Sequence, residues 1–377
     1  MGGVVSGSGG AGAPPMGTRG PVHIVGTGLL GASIGVALTR GGVHVTLEDA
    51  SPIPSAVAAE LGAGVVGQPG EQGPSLVVVA VPPEVAGSVV ARALSTWPAA
   101  VVTDVASVKE SVLGEVRRAG GDLTRYVGSH PMAGRERSGA AAAMADLFVG
   151  RPWVICAPEE ASSSSVLVVR ELAVDVGARV VHLGARAHDE AVALVSHMPQ
   201  VVASVAAKCL VGASANALDL AGQGLRDTTR IAGSDPGLWA AILLGNAGPV
   251  ASRLREVADG LSAAIDALAA AEAGEEGKAV AALHRLMASG NDGVSGIPGK
   301  HGGARTEYDA VTVLVPDQPG ELGRLFTEVG RVGVNLEDVH IEHAGGKPVG
   351  LTTLSVPRGA GVGLGEALTA AGWRILG

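Results

Sequence analysis

The sequence predicts an α/β fold: a Rossmann-type doubly wound sheet over residues 21–185, an all-helical domain over 186–288, and a small βαββαβ domain over 307–377. Three observations predict it. Through the first half of the chain, short apolar runs alternate with stretches of helical spacing and end in glycine, proline or acidic turns. From residue 186 the strand rhythm stops, and long stretches rich in Ala, Leu and Val take over. After a glycine-dense segment, alternating strand patterns return near Tyr308.

The composition sets the class of protein. At 377 residues the chain is long enough for two or three domains, and 47% hydrophobic residues provide for their cores. Aromatics make up only 2%, so those cores are built from Ala, Val and Leu. Lysine occurs at five positions, Lys109, Lys208, Lys278, Lys300 and Lys347. With a net charge of −9 and no basic block, nucleic acid and acidic membrane surfaces are poor partners, and small-molecule chemistry is the default. Cys156 and Cys209 lack motif spacing, which implies neither a disulfide framework nor a metal site; they read as buried thiols in a reducing cytoplasm. Residues 1–20 have no basic n-region and no continuous apolar core, so they read as a disordered tail rather than a secretory signal, with Met16 as a second candidate start. No uninterrupted apolar run reaches the roughly eighteen residues of a membrane span.

The first strand is Pro21-Val-His-Ile-Val, and it runs into Gly26-Thr-Gly28-Leu29-Leu30-Gly31 before a helical stretch. This is the G-x-G-x-x-G fingerprint in strand–turn–helix context. Gly26 permits the tight turn, Gly28 lets the backbone approach a pyrophosphate, Gly31 allows close helix–strand packing, and the phosphates sit at the helix N-terminus beside Leu29 and Leu30. The second strand ends at Glu48-Asp49, where alternation favours Asp49 for the ribose hydroxyls. No Arg or Lys follows to receive a 2′-phosphate, so the expected cofactor is NAD.

Leu76–Val81 and Val101–Asp104 are the next strands, and they place Pro82 and Ser107 on the rim where ligands gather. Ser107 either caps a helix beginning at Val108 or bonds substrate or nicotinamide. The stretch Val127–Gly139 delivers His130 onto a proline-braced turn. A histidine fixed at a strand end suits general-base work, because its unperturbed pKa lies near neutrality. Strands at Trp153–Ala157 and Arg179–Leu183 close the domain.

In the helical region, Pro199 within Ser196-His197-Met198-Pro199-Gln200 predicts a kink. Further on, Arg226 and Arg230 fall four residues apart on one helix face, an arrangement suited to gripping a dicarboxylate.

GTGLLGASIG, DVASVK, GSHPMAGRERSG, VSHMPQ and LRDTTRIAGSDPGLW, in this order, closely resemble the prephenate/arogenate dehydrogenase family of tyrosine biosynthesis over about residues 22–287. The resemblance implies a nucleotide-binding domain, an all-helical dimerisation domain and an active site between them in a homodimer. It implies roles by motif: His130 as base, Ser107 orienting the substrate hydroxyl and His130, His197 at the substrate side chain, Arg230 on a carboxylate, and Glu136 as the acid after the HP turn. Arg226 stands where some relatives carry lysine, and Gln200 where some carry a second histidine. Prephenate and arogenate both stay open as substrate.

Residues 289–306 are glycine-dense and polar, as in a linker. Beyond them, DQPGELGRLF and GVNLEDVHIE resemble the ACT domain, which implies sensing of an amino acid, with L-tyrosine as the expected effector. Two competing readings are a 3-hydroxyacid dehydrogenase, for which Lys208 is the candidate catalytic lysine, and a non-catalytic protein that senses NAD and an amino acid.

Overall fold

A computed structural model describes residues 16–134, 139–297, 308–343 and 349–376. The chain divides into two compact units at Val257/Ala258. The first opens with β1 (Val22–Val25), α1 (Leu29–Arg40), β2 (Val45–Glu48), α2 (Pro52–Glu60), β3 (Val65–Val66), β4 (Leu76–Val79), α3 (Pro83–Thr96), β5 (Val101–Asp104) and α4 (Glu110–Arg118). The five strands form one parallel sheet in the order β3-β2-β1-β4-β5. Helices cover both faces, so the central strands are apolar at nearly every position rather than at alternate ones. Leu76 and Val78 pack with Ile24, Ile34 and Leu38 on one face, while Val77 and Val79 pack with Val90, Val102 and Val116 on the other.

The next elements are β6 (Gly128–Pro131), β7 (Pro152–Cys156), α5 (Ser163–Asp175) and β8 (Arg179–His182). Here the doubly wound expectation needs correction. They form a separate three-stranded sheet, and β6 runs antiparallel to β7. The connection from β6 to β7 has no long crossover helix among its described residues, and only an antiparallel pair can do without one. The strand still starts in line with the main sheet. The Val102 N–H donates to the Arg125 carbonyl at 2.8 Å and the Val127 N–H to the Val102 carbonyl at 3.0 Å, which is a parallel bridge from β5 to Tyr126. The carboxyl end of β6 therefore lies toward the same rim as those of β1, β4 and β5.

The folded chain begins before Pro21. Backbone N–H groups of Gly17 and Thr18 donate to the Asp175 carboxylate at 3.1 and 2.6 Å, and Met16 packs on the core. Residues 16–20 thus belong to the first domain and not to a tail.

The helical region contains α6 (Ala185–Val192), α7 (Met198–Lys208), α8 (Ala215–Asp219), α9 (Gln223–Thr229), α10 (Pro236–Gly245), α11 (Ala247–Glu272) and α12 (Glu276–Ser295). Between α6 and α7 the break expected at Pro199 is a π turn, Ala193–His197, and Pro199 sits harmlessly in the first turn of α7. The expected linker is helical as far as Ser295. Gly290 and Gly293 each cost a helix about 1 kcal/mol, and one already propagating absorbs that. By length and composition alone Ala185–Lys208 is apolar enough to cross a membrane. Its His188, Asp189 and His197 are nevertheless buried in the protein. Cys156 is buried as expected but Cys209 is exposed. Lys208 is exposed too, unlike a catalytic lysine.

In the second unit, β9 (Tyr308–Pro316), α13 (Glu321–Val332), β10 (Asp338–His343), β11 (Val349–Pro357), α14 (Gly361–Ala370) and β12 (Arg374–Leu376) follow in the expected βαββαβ sequence. The strands pair antiparallel in the order β10-β11-β9-β12. Alternate side chains of β9, Val311, Val313 and Val315, join Leu325, Leu354, Leu364 and Trp373 in a separate core.

Candidate active site

The glycine turn has the geometry its sequence promised. Gly26 adopts φ +94°, and a Cβ there would stand 2.4 Å from the Ala80 carbonyl oxygen. A Cβ on Gly31 would stand 2.0 Å from the Gly26 carbonyl oxygen, so α1 abuts the turn. Gly28 has nothing within 4 Å of its would-be Cβ, which leaves its backbone open to a phosphate at the N-terminus of α1. Leu29 and Leu30 open that helix, and Pro82 precedes α3 at the end of β4.

Asp49 faces the turn. Its carboxylate accepts from the Thr27 N–H at 2.7 Å, the Thr27 hydroxyl at 2.9 Å and the Ser51 N–H at 3.0 Å. Glu48 instead meets His23, Gln68 and Arg92 at 3.3, 2.8 and 3.3 Å. The absence of a cation directly after β2 in sequence is thus made up in space by Arg92 from α3, and Glu48 pairs with it. These groups fit a dinucleotide whose phosphates meet the turn and whose ribose meets Asp49.

His130 ends β6 and is buried. Its Nδ1 lies 2.9 Å from Nε2 of His188, and His188 Nδ1 lies 2.8 Å from the Asp189 carboxylate. That carboxylate also receives the Lys109 and Glu110 N–H groups at 2.9 and 2.8 Å, so α6 caps α4 from across the molecule. Beneath the strand, Lys109 pairs with Asp104 and donates to the Ser129 carbonyl at 2.8 Å. Asp104 further accepts from the Tyr126 hydroxyl at 2.7 Å and the Ala106 N–H at 3.0 Å. Lys109 is 1% exposed and Asp104 0%, and a buried ion pair of this kind persists only when its remaining valences are filled, as they are here. Burial first, then the Asp104 charge, pushes the Tyr126 hydroxyl well above its ordinary pKa, so it stays a donor.

Burial also holds the pKa of His130 well below the ordinary histidine value, with His188, Lys109 and His197 adding electrostatic pressure in the same direction. The ring is neutral at pH 7. His197, at the end of the π turn, is pushed down to about 4, chiefly by burial. Asn246 bridges the two histidine groups: its side-chain amide lies 3.1 Å from His197 Nδ1 and donates to the Asp189 carbonyl at 2.7 Å. The Trp239 ring stands edge-on to His197 at 6.0 Å.

Ser107 lies in the turn after β5. The helix there begins at Glu110, and its first N–H groups go to Asp189, so Ser107 is no cap; its hydroxyl makes no hydrogen bond among the described residues. Gln200 donates to the Ile231 carbonyl at 2.9 Å, which ties α7 to the 3₁₀ turn that Arg230 opens. Arg226 and Arg230 are exposed in the single chain. Glu136 lies outside the described residues.

Sequence reading did not single out Asp104, Lys109, His188, Asp189 or Asn246. One signal was available: DVASVK places an acid and a rare lysine on either side of Ser107.

Residues 34–182 match the family model described as prephenate dehydrogenase, nucleotide-binding domain, and residues 184–288 the one described as prephenate dehydrogenase, dimerization domain. A probable prephenate dehydrogenase, NovF, of Streptomyces niveus is 36% identical over 342 residues, covering 89% of this chain and 94% of that protein. Among solved structures, prephenate dehydrogenase from A. aeolicus in complex with hydroxyphenyl propionate and NAD+ is 28% identical with a TM-score of 0.62, over 72% of this chain and 97% of that one. Synechocystis arogenate dehydrogenase is 26% identical with a TM-score of 0.60, over 72% and 98%. The chain belongs to the prephenate dehydrogenase family and is an NAD-dependent dehydrogenase.

Proposed function

We propose that this chain converts prephenate to 4-hydroxyphenylpyruvate in L-tyrosine biosynthesis, with His130 as the general base. The observation that carries the role of His130 is a buried, uncharged imidazole at the rim that also holds the glycine turn. NAD, held by the glycine turn and Asp49, would supply the acceptor for the hydride that leaves C4 of the cyclohexadiene. His130 takes the C4 hydroxyl proton as that hydride leaves. Loss of CO2 from C1 then makes the ring aromatic, and His130 returns its proton to the phenolate oxygen. The base ends as it began, and no proton is released overall. Aromatisation drives the step, so the protein supplies a base, orientation and a cofactor site.

Ser107 orients the hydroxyl toward His130, His197 meets the substrate side chain, Arg230 holds a carboxylate with Arg226 close by, and Glu136 is a further substrate-binding residue. Exposed Val211, Leu220 and Leu244 in the helical region support a homodimer that covers them. The βαββαβ unit is read as an ACT-like module that senses L-tyrosine, and the enzyme as cytoplasmic. Arogenate, with an amino group on the side chain, is the alternative substrate, favoured by the likeness to the Synechocystis enzyme.

The test is NADH formation with prephenate and arogenate in parallel, each with and without L-tyrosine. His130→Asn should lower turnover by at least about 100-fold with NAD binding intact. A near-normal rate removes His130 from the role, and silence of the unaltered chain with both substrates overturns the reading.

A further inference from the structure

We infer that His188 and Asp189 are positioning residues that hold His130 in a single tautomer, with the proton on Nδ1 and the lone pair on Nε2. The inference deepens the proposed role of His130 as base. It follows from counting donors and acceptors inward from the helix terminus.

Asp189 receives two backbone N–H groups at the start of α4, at 2.9 and 2.8 Å. Both of its oxygens are thereby engaged as acceptors, Oδ1 by the Lys109 N–H and Oδ2 by the Glu110 N–H. His188 Nδ1, 2.8 Å from the same carboxylate, must therefore be the donor. With His188 taken as a neutral ring protonated on Nδ1, its lone pair lies on Nε2. His130 Nδ1 stands 2.9 Å from that atom, so it must carry the proton it donates. Only Nε2 of His130 is left to act as base.

The arrangement is anchored at both ends. His188 and Asp189 are 0% and 1% exposed, and Asn246 holds the Asp189 carbonyl at 2.7 Å, so α6 cannot turn the pair away. At the other end, Lys109 fixes the Ser129 carbonyl next to His130. When His130 takes the substrate proton on Nε2, its Nδ1–H becomes a charge-assisted donor to His188, and that bond strengthens as the positive charge forms. No proton passes to His188; the one taken on Nε2 returns to the product oxygen.

The experiment is long-range 1H–15N correlation on the full-length protein labelled with 15N-histidine, with His130 assigned by His130→Asn. The expected spectrum shows His130 protonated at Nδ1 and bare at Nε2 at neutral pH. In His188→Leu the His130 signal should move toward the Nε2–H form, with turnover falling on the order of 100-fold and the substrate KM changing less than about twofold. His188→Gln, whose carbonyl can accept from Nδ1, should recover the tautomer and most of the rate. A His130 protonated at Nε2 in the unaltered protein overturns the inference even if His188→Leu fails to fold. So does a His188→Leu chain with an unchanged tautomer and rate. Because the spectrum is recorded without substrate, it stands apart from the choice of reaction: the expected tautomer with no turnover would sink the prephenate reading and leave the positioning of His130 in place.

Discussion

Burial and the neighbouring Lys109 ammonium keep the His130 ring uncharged, and only an uncharged ring can accept the hydroxyl proton. The acid limb of the kcat/KM profile should therefore lie below pH 6.5, the ordinary histidine value, with activity steady from neutrality down to that point. A limb above pH 6.5 would contradict the burial described. In the proposed reaction Arg230 holds a carboxylate rather than the reacting carbon, so Arg230→Ala should raise the substrate KM about tenfold or more and spare turnover in comparison. An unchanged KM would remove it from the carboxylate. The strand-end placement of His130 and Asp49 and the tight turn at the glycines were legible because each belongs to a local pattern in which the neighbours state the geometry. His188 and Asp189 were not, since a His-Asp pair in the middle of a helix looks like any polar surface turn. Its meaning comes from His130 and Lys109, 58 and 80 residues away in sequence.

Proline chemistry led the sequence reading to a kink at Pro199, and the chain instead widens one turn earlier, over Ala193–His197. A π turn carries one residue more than the α-helical ladder needs, and that surplus rotates everything after it. It sets the direction of His197 toward Asn246, while His188 and Asp189, upstream of it, keep their own bearing. Deleting the exposed Val195 should close the turn into regular α-helix with α6 and α7 still in register, so the change should fall on His197 within the turn, costing its Asn246 bond and at least about tenfold in kcat/KM. A deletion variant of full activity would show that the turn is incidental. The parallel sheet was readable for the opposite reason: β1 and β4 are nearly continuous apolar runs, and helices on both faces leave them no other packing. The antiparallel β6 escaped because Gly128-Ser-His-Pro131 carries no pattern that tells one strand direction from the other, and only the connection decides.

Taken as one molecule, the protein buries His23, His130 and His197, and that makes its stability depend on pH. Unfolded, His197 titrates near 6.5; folded, near 4, because burial disfavours the cation. The unfolded chain thus binds more protons in that window, so stability is complete above pH 6.5 and is lost as pH falls toward 4. At about 1.4 kcal/mol per pKa unit, His197 alone accounts for roughly 3 kcal/mol, and the lowered pKa of His130 acts in the same sense. Urea unfolding at pH 7 and at pH 4.5 should show this loss, and His197→Phe should lessen it. Equal midpoints at the two pH values would refute the burial of these rings. The scarcity of aromatics has a practical side. With only four tryptophans and two tyrosines in 377 residues, the emission of the whole chain comes from a few indoles, and one of them, Trp239, lies against His197. An imidazolium quenches a neighbouring indole and a neutral ring does so far less, so the molecule carries an intrinsic optical reporter whose brightness follows the charge of its own site.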